Sequence, residues 1–208
     1  HSHRIIPCED CRLQPKIFSE ITEAVTEWAK QNDLTIYNEA ENKGFLRHIY
    51  IRKAAQTHEI MVCLVINGDF LPESEALVEE LQNICGDDLK SLQININKKD
   101  TNVILGETCK TIYGSDYITD ILCGVKVRLS PLSFYQVNHT MAEKLYEKAK
   151  EYANPMGKNI IDLYYKLGLS AKMVGDIVGL SESGVRKILK KIHEELREYI
   201  DNNLKNIE

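Results

Sequence analysis

The stretch Ser130–Asn138 (SPLSFYQVN) sets side-chain amides among aromatic and apolar residues at an element boundary. Phe134 and Val137 follow neither a strand period nor a helix period, so the stretch is predicted to be irregular. An amide such as that of Gln136 can orient a ligand in a pocket wall while a neighbouring ring packs against it. The alternative is an ordinary strand-to-helix connection whose polar groups bond to the backbone. Composition alone favours that connection.

A second candidate for chemistry is the cysteine pair in Cys8-Glu-Asp-Cys11, ahead of the first predicted helix. Zinc and iron–sulfur sites need three or four protein ligands, and no second CxxC pair follows. Cys63 and Cys123 lie in strand-like apolar runs, which is typical of small core hydrophobes. We therefore expect no disulfide framework and a reducing, cytoplasmic environment.

Basic side chains surround a tyrosine in the predicted strand Leu46–Arg52. Basic groups beside Tyr50 suit the phosphates and an unstacked base of RNA. The alternative is the solvated outer face of an antiparallel sheet. The basic residues are Arg47, His48, Arg52 and Lys53.

The C-terminal part carries the pattern of two helices joined by a tight turn. The predicted helices are Ala171–Val178 and a second one from about Glu182 to Ile200, with Ser181 as the cap of the second. Turn, caps and apolar spacing resemble a helix-turn-helix of the sigma-factor or response-regulator type, whose second helix meets DNA.

A basic row lies near the start of this second helix and suits phosphate and major-groove contacts to duplex DNA. The alternative is a helical hairpin that caps the sheet or dimerises, with its lysines merely solvated. The row consists of Arg186, Lys187, Lys190 and Lys191.

Length and composition bound these possibilities. A chain of 208 residues with 43% hydrophobic residues forms one globular domain, or one with a small appendage. The net charge of −5 argues against broad nonspecific nucleic-acid binding but not against a local basic face. No apolar run approaches the length of a membrane span, and residues 1–11 lack the apolar core of a signal peptide, so we expect no membrane association.

Hydrophobic periodicity predicts an α+β fold: a small, mainly antiparallel sheet with packed helices, followed by an all-helical part. The predicted helices before that part are Pro15–Gln31, Glu75–Cys85 and Thr140–Tyr152, with a break at Pro155–Gly157. The predicted strands are Leu34–Tyr37, Leu46–Arg52, Glu59–Asn67, Leu92–Ile96, Ile112–Tyr113, Tyr117–Leu122 and Val125–Leu129. Asn159–Tyr164 fits a strand, and Asn159–Lys166 equally fits the first helix of the all-helical part.

Three separated segments resemble the RNA uracil-5 methyltransferases, which methylate C5 of uridine in ribosomal and transfer RNA. They are Gly44–Arg52 (GFLRHIYIR), Asn95–Tyr117 (NINKKDTNVILGETCKTIYGSDY) and Ser130–Asn138. They agree with the family in order, and the resemblance covers roughly residues 1–164. It implies RNA as the partner and S-adenosylmethionine as the cofactor, and it favours RNA contact by the basic residues of Gly44–Arg52.

The resemblance also implies roles for single residues. The family glutamine that contacts S-adenosylmethionine matches Gln136, and Asp162-Leu163-Tyr164 matches the start of the first strand of the cofactor domain, which brings Tyr164 to the cofactor. In some members four cysteines hold an iron–sulfur cluster, and the last of them corresponds to Cys11. The other three would precede His1, so we expect no intact cluster.

The motifs of the family end near Tyr164. The family continues with a glycine-rich turn that lets the backbone approach the cofactor, whereas this chain reads Tyr165-Lys166-Leu167-Gly168-Leu169. No residue matches the cysteine that attacks C6 of uracil or the acidic base that removes the C5 proton. We therefore assign no catalytic residue and expect the chain alone to be inactive.

The sequence thus predicts three parts: a central α+β domain (1–128), a cofactor-proximal loop and linker helix (129–157), and a helix-turn-helix-like segment (158–208). The predicted function is that of an RNA-binding fragment of an RNA uracil-5 methyltransferase. The alternatives are a DNA-binding regulator that acts through residues 171–200, and a chimeric or truncated product without activity. No pattern predicts an oligomeric state.

Overall fold

A computed structural model describes residue 11, residues 13–152 and residues 155–204. The chain divides into two compact units. The sheet unit comprises the described residues up to Asp120 together with Arg128–Phe134. The helical unit comprises Ile121–Val127 and the described residues from Tyr135 onward.

The sheet unit and the hairpin that follows it contain both helices and strands. In chain order the elements are α1 Ile17–Gln31, β1 Leu46–Lys53, β2 Ile60–Ile66, α2 Ser74–Cys85, a 3₁₀ turn at Gly86–Asp88, β3 Leu89–Ile96, β4 Thr108–Gly114, β5 Ile118–Leu122 and β6 Val125–Leu129. Four of the described strands form a sheet in the order β1-β2-β3-β4, in which β2 and β3 are parallel and the other pairs antiparallel, and β5 and β6 form a second sheet of two strands. The predicted α+β fold with a mainly antiparallel sheet is confirmed.

One face of the sheet packs against α1 and α2. Ile21 and Val25 of α1 and Leu77 and Leu81 of α2 are fully buried against alternate residues of β2 and β3. Every side chain of β2 is buried, because the opposite face of this strand is covered too. The continuous apolar run of β2 therefore reports a central strand, as predicted.

β3 divides its side chains between the two faces. Leu92 and Ile94 join the core against the helices, whereas Ser91, Gln93 and Asn95 are buried on the opposite face. Buried polar groups need hydrogen-bond partners, and Ser91 donates to the carbonyl of Ser115 at 2.6 Å. On the opposite face β3 therefore contributes buried polar side chains, and this face of the strand is not solvated.

The predicted strand Leu34–Tyr37 is wrong. This segment makes only isolated bridges, between Ile36 and Leu46 and between Asn38 and Lys43. The amides of Phe45 and Leu46 both bond to the carbonyl of Thr35, at 2.9 and 3.0 Å, so the chain forms a turn and no ladder.

The helical unit contains α3 His139–Tyr152, α4 Pro155–Ile161, a π-helical turn Asp162–Lys166, α5 Ala171–Val178 and α6 Glu182–Leu204. Helix α3 ends at Tyr152, as predicted, and Pro155–Gly157, which were predicted to break it, are the first residues of the separate helix α4. Pro155 occupies its first turn, a position where proline costs no hydrogen bond.

Of the two possibilities for Asn159–Tyr164, the strand is wrong and the helix is confirmed. Ile160 is fully buried with Val174, Val185 and Leu189 of α5 and α6. A helix satisfies its own backbone groups within this packing, whereas a strand would need a neighbouring strand.

The turn between α5 and α6 has the predicted chemistry. Ser170 caps α5 by accepting the amide of Met173, and Ser181 accepts the amide of Gly184 at 3.1 Å. Gly179 follows α5 with φ +72°, a left-handed conformation that favours glycine.

Among the described helices, none is long and apolar enough to cross a membrane.

Candidate nucleic-acid interface

The side chain of Arg47, at the start of β1, forms hydrogen bonds within the protein. Its guanidinium donates to the carbonyls of Asn97 at 2.9 Å, Lys99 at 2.8 Å and Thr101 at 3.3 Å. It also lies 4.1 Å from the ring centroid of Tyr37. Arg47 is therefore a clamp on the loop that follows β3.

Arg52 is a second clamp, five residues further along the strand and so roughly 17 Å away. Its guanidinium donates to the carbonyls of Pro131, at 3.4 Å, and Ser133. It also lies 5.2 Å from the ring centroid of Tyr50, which covers part of the ring predicted to stack on a base.

His48 and Lys53 complete the predicted basic set, and both are half-buried. Burial, and next the positive charge of Arg47, lower the pKa of His48 from its usual value, so His48 is neutral at pH 7. Lys53 follows Arg52 directly in the strand and so points to the other face of the sheet. The structure does not bring the four residues together in one exposed patch, and RNA contact by them stays a prediction.

Two buried asparagines hold the loop between β3 and β4, residues 97–107. Asn97 donates its side-chain amide to the carbonyls of Val103 at 2.8 Å and Ile104 at 3.1 Å. Asn95 donates to the carbonyl of Gly106 at 2.9 Å and accepts the amide of Gly106 at 2.6 Å. The loop is thus fixed by Asn95 of β3 and by Asn97 of the loop itself, together with Arg47 of β1. The alternation QININ (Gln93–Asn97) signalled these buried polar side chains, although their role as loop anchors was not predicted.

A further surface, which sequence analysis missed, lies where β2 ends. Phe70 follows the turn after β2 and is 72% exposed. Lys98 pairs with the Asp69 carboxylate at 2.5 Å, and Lys110 donates to the Asp69 carbonyl at 3.0 Å. The hydrogen bond and the charge of Lys98 lower the pKa of Asp69. We name Asp69, Phe70, Lys98 and Lys110 the Phe70 surface.

The stretch Ser130–Asn138 is irregular, as predicted, and its two amides differ in role. Asn138 caps α3: its side-chain oxygen accepts the amide of Met141 at 3.1 Å, and its carbonyl accepts the amide of Ala142. Gln136 is exposed, and its side chain has no hydrogen-bond partner among the described residues. Asn138 therefore follows the connection alternative, whereas Gln136 is available to a ligand.

Replacing Asn138 by alanine is expected to lower the free energy of unfolding of the helical unit by about 1 kcal/mol, because the first turn of α3 loses its side-chain acceptor. Thermal unfolding followed by circular dichroism at 222 nm measures this. Gln136→Ala is the matched control and should change stability by less than about 0.5 kcal/mol. Equal effects of the two variants would show that the cap contributes nothing.

The basic row of α6 is exposed, as the helix-turn-helix pattern requires. Val185, Leu189 and Ile192 are buried on the opposite side of the helix. The exposed members of the row are Arg186, Lys187, Lys190 and Lys191.

Three residues of the row pair with glutamates one helical turn away. Arg186 contacts Glu182 at 2.7 Å, and Lys190 and Lys191 each have a glutamate oxygen at 3.7 Å, from Glu194 and Glu195. Lys187 makes no ion pair with any described residue. The row is thus less positive than its sequence indicates, and Lys187 carries its uncompensated charge.

Several bacterial proteins are similar in sequence to this chain. An uncharacterized RNA methyltransferase of Caldanaerobacter subterraneus subsp. tengcongensis is 38% identical over 186 residues, which is 86% of this chain and 41% of that protein. One of Staphylococcus epidermidis is 39% identical over 168 residues, 80% of this chain and 37% of its own length. One of Bacillus cereus is 34% identical over all 208 residues, 45% of its length. No family model matches the chain.

The chain belongs to the RNA methyltransferase family of these relatives. The tRNA (uracil-54, C5)-methyltransferase of Pyrococcus abyssi, solved in complex with S-adenosyl-L-homocysteine, has a similar fold, with a TM-score of 0.63 and 21% identity over 93% of this chain and 47% of that one. The resemblance drawn from the sequence motifs is confirmed. The chain spans less than half the length of the curated relatives it matches.

Tyr164, for which the family resemblance implies a cofactor contact, packs its ring within the helical unit. It lies in the π-helical turn, with its ring edge-to-face on Tyr165 at 5.0 Å between centroids. It also packs against the cluster around Ile160. The strand start that the resemblance implies at Asp162–Tyr164 is a helical turn here, and contact between Tyr164 and S-adenosylmethionine stays a prediction.

A cavity of about 640 Å³ lies in the helical unit, and neither Gln136 nor Tyr164 lines it. Its walls are largely apolar and come from α4, the π-helical turn and the end of α5. The lining residues are Pro155, Met156, Asn159, Asp162, Leu163, Ile177 and Val178.

Cys11 is a half-buried free thiol, and Cys8 lies outside the described residues. In the described ranges no group of three or more His, Cys, Asp or Glu side chains could hold a metal ion. Cys63 is buried in the sheet, where desolvation and the neighbouring Cys109 raise the pKa of its thiol to about 12. Such a thiol is protonated and unreactive at neutral pH, in keeping with a small core residue.

Proposed function

We propose that the sheet unit is an RNA-binding module of an RNA uracil-5 methyltransferase. The observation that carries this proposal is the loop 97–107. It lies within the family-like segment Asn95–Tyr117 and is fixed in place by Arg47, Asn95 and Asn97. A loop held this firmly presents its exposed side chains at little entropic cost on binding. The names of the relatives support RNA as the partner.

The proposal keeps residues 1–128 as the RNA-binding domain and residues 129–157 as the cofactor-proximal loop and linker helix. Gln136 is its candidate for contact with S-adenosylmethionine, because this amide is exposed and has no internal partner among the described residues. The free cysteines fit a reducing cytoplasm.

RNA binding is tested by fluorescence anisotropy of the full chain with a labelled stem-loop that carries uridines in its loop. We expect saturable binding that weakens as salt rises, because phosphate contacts release counterions. A duplex DNA of equal length should bind more weakly. Failure to bind the stem-loop at low salt would overturn the proposal.

The chain alone is expected to transfer no methyl group. The chain reads Tyr165-Lys166-Leu167-Gly168-Leu169 where the family has its glycine-rich turn, and no residue matches the family nucleophile. Incubation with labelled S-adenosylmethionine and unmodified ribosomal RNA should leave the RNA unlabelled. Label at C5 of uridine would contradict this part of the proposal.

A second candidate function is duplex DNA binding by α5 and α6. The observation that favours it is Lys187 in the second turn of α6, the helix that Ser181 caps. This lysine is exposed and has no ion pair among the described residues. A DNA phosphate near the start of this helix would lie close to the positive charge of Lys187.

Replacing Lys187 and Lys191 together by alanine should weaken binding to all duplex DNA sequences alike. The slope of log K against log salt should fall by about one for each phosphate that the variant no longer neutralises. A double replacement of Lys16 and Lys30, both exposed on or beside α1, removes the same charge elsewhere and is the control. If the Lys187/Lys191 variant binds DNA as tightly as the parent at low salt, the row is only solvated.

A further inference from the structure

Phe70 is an exposed ring on a segment that is fixed on both sides. Before it, Asn67 is tied to the turn ahead of β1: its backbone amide donates to the Phe45 carbonyl at 2.8 Å and its side chain donates to the Gly44 carbonyl at 3.1 Å. After it, Leu71 is buried in the core of the sheet unit, only 7% exposed. The backbone at Phe70 cannot turn the ring inward without releasing these contacts.

Two lysines from different elements meet at Asp69, the residue that precedes Phe70. Lys98 belongs to the anchored loop and Lys110 to β4, and both ammonium groups reach Asp69, at 2.5 and 3.0 Å. One carboxylate therefore faces two positive charges. The adjacent Lys99 is paired with Glu107 at 2.9 Å and adds no net charge. The two lysines therefore bring one positive charge more than the Asp69 carboxylate neutralises, although the chain as a whole is acidic.

An exposed aromatic ring beside excess positive charge has the chemistry that single-stranded RNA requires. An unstacked base stacks on the ring face, and the adjoining phosphate accepts hydrogen bonds from ammonium groups. The exposed ion pair between Lys98 and Asp69 does not prevent phosphate binding. Surface ion pairs contribute little to stability, and a phosphate can share the lysine. The fixed backbone reduces the ordering cost of binding.

The basic residues of β1 are less suited to this task. The guanidiniums of Arg47 and Arg52 are bound to main-chain carbonyls, and Arg52 also covers part of the Tyr50 ring. Phe70 has no such cover, since 72% of it is exposed. The ring and the cations therefore coincide at the Phe70 surface and not on β1.

We propose that the Phe70 surface binds one unstacked base of RNA on Phe70 and the neighbouring phosphate on Lys98 and Lys110. This rests on the proposed RNA-binding function and names the place where the sheet unit recognises a single-stranded segment.

The test compares the full chain with Phe70→Leu and Phe70→Tyr in anisotropy titrations with a labelled uridine-rich RNA 10-mer. Leucine keeps an apolar side chain but removes the stacking face, so affinity should fall about tenfold. Tyrosine keeps the face and should bind like the parent. Circular dichroism checks that both variants fold, which is expected because the ring contributes little to the core.

A charge test accompanies it. Replacing Lys98 and Lys110 by glutamine should lower the slope of log K against log salt by about one for each phosphate that these lysines neutralise, whereas the Lys16/Lys30 control should leave it unchanged. If the parent binds no RNA, the proposed function itself fails. If the parent binds but Phe70→Leu and the lysine variant bind equally well, RNA is held elsewhere and this inference is wrong.

Discussion

Arg47→Ala is expected to lower the free energy of unfolding of the sheet unit by about 2–4 kcal/mol. The guanidinium donates to three carbonyls of residues 97–101, and hydrogen bonds from charged donors are among the stronger ones. Without it, the loop 97–107 is released from one of its anchors, and the carbonyl of Asn97 is left without this donor in a partly buried place. Urea unfolding followed by Trp28 fluorescence measures this, because the only tryptophan of the chain is buried in the sheet unit.

Lys43→Ala is the matched control, since Lys43 is an exposed basic residue on the turn before β1. It should change stability by less than about 0.5 kcal/mol. Arg47→Lys should lie between the two, because an ammonium group cannot span the three carbonyls as a guanidinium does. If Arg47→Ala is as stable as Lys43→Ala but binds RNA more weakly, Arg47 is an RNA contact and not a clamp.

Asp120→Ala is expected to cost about 3 kcal/mol. The Asp120 side chain is fully buried, and its carboxylate accepts the backbone amides of Ala55 at 3.0 Å and Gln56 at 2.9 Å. These contacts tie β5 to the turn between β1 and β2. Alanine removes this buried carboxylate, so the two backbone amides lose their acceptor.

Asp116→Ala provides the comparison, because Asp116 is an exposed aspartate four residues earlier in the chain. The same urea titration should give a midpoint near that of the parent for Asp116→Ala and a clearly lower one for Asp120→Ala. Coinciding midpoints for the two variants would show that the turn is held by other contacts, such as that of Glu59 with Thr119 at 2.6 Å.

The main elements could be predicted because their periodicity reports burial directly. β2 is a continuous apolar run since both of its faces are covered, and α1 shows an apolar stripe because one side packs on the sheet. The strand prediction for Leu34–Tyr37 is wrong because a β-forming composition does not reveal whether a partner strand is present. Asn159–Tyr164 is too short for its apolar pattern to separate strand from helix.

The roles of the site residues were harder to predict, because they depend on contacts that are remote in the chain. An arginine on a strand has the same sequence pattern whether its guanidinium meets solvent or, as for Arg47, carbonyls 50 or more residues away. Likewise Phe70 follows a turn like any loop residue. Only the fold shows that Lys98 and Lys110 meet at Asp69, the residue before it.

The measurement that tests the central claim most directly is photo-crosslinking of the full chain to a stem-loop RNA that carries 4-thiouridine in its loop, with the crosslinked peptides identified by mass spectrometry. If the sheet unit is the RNA-binding module, crosslinks should fall between residues 66 and 111 and should include the peptide with Phe70. Crosslinks confined to residues 171–200 of the helical unit would contradict the claim and would favour α5 and α6 as the nucleic-acid-binding part.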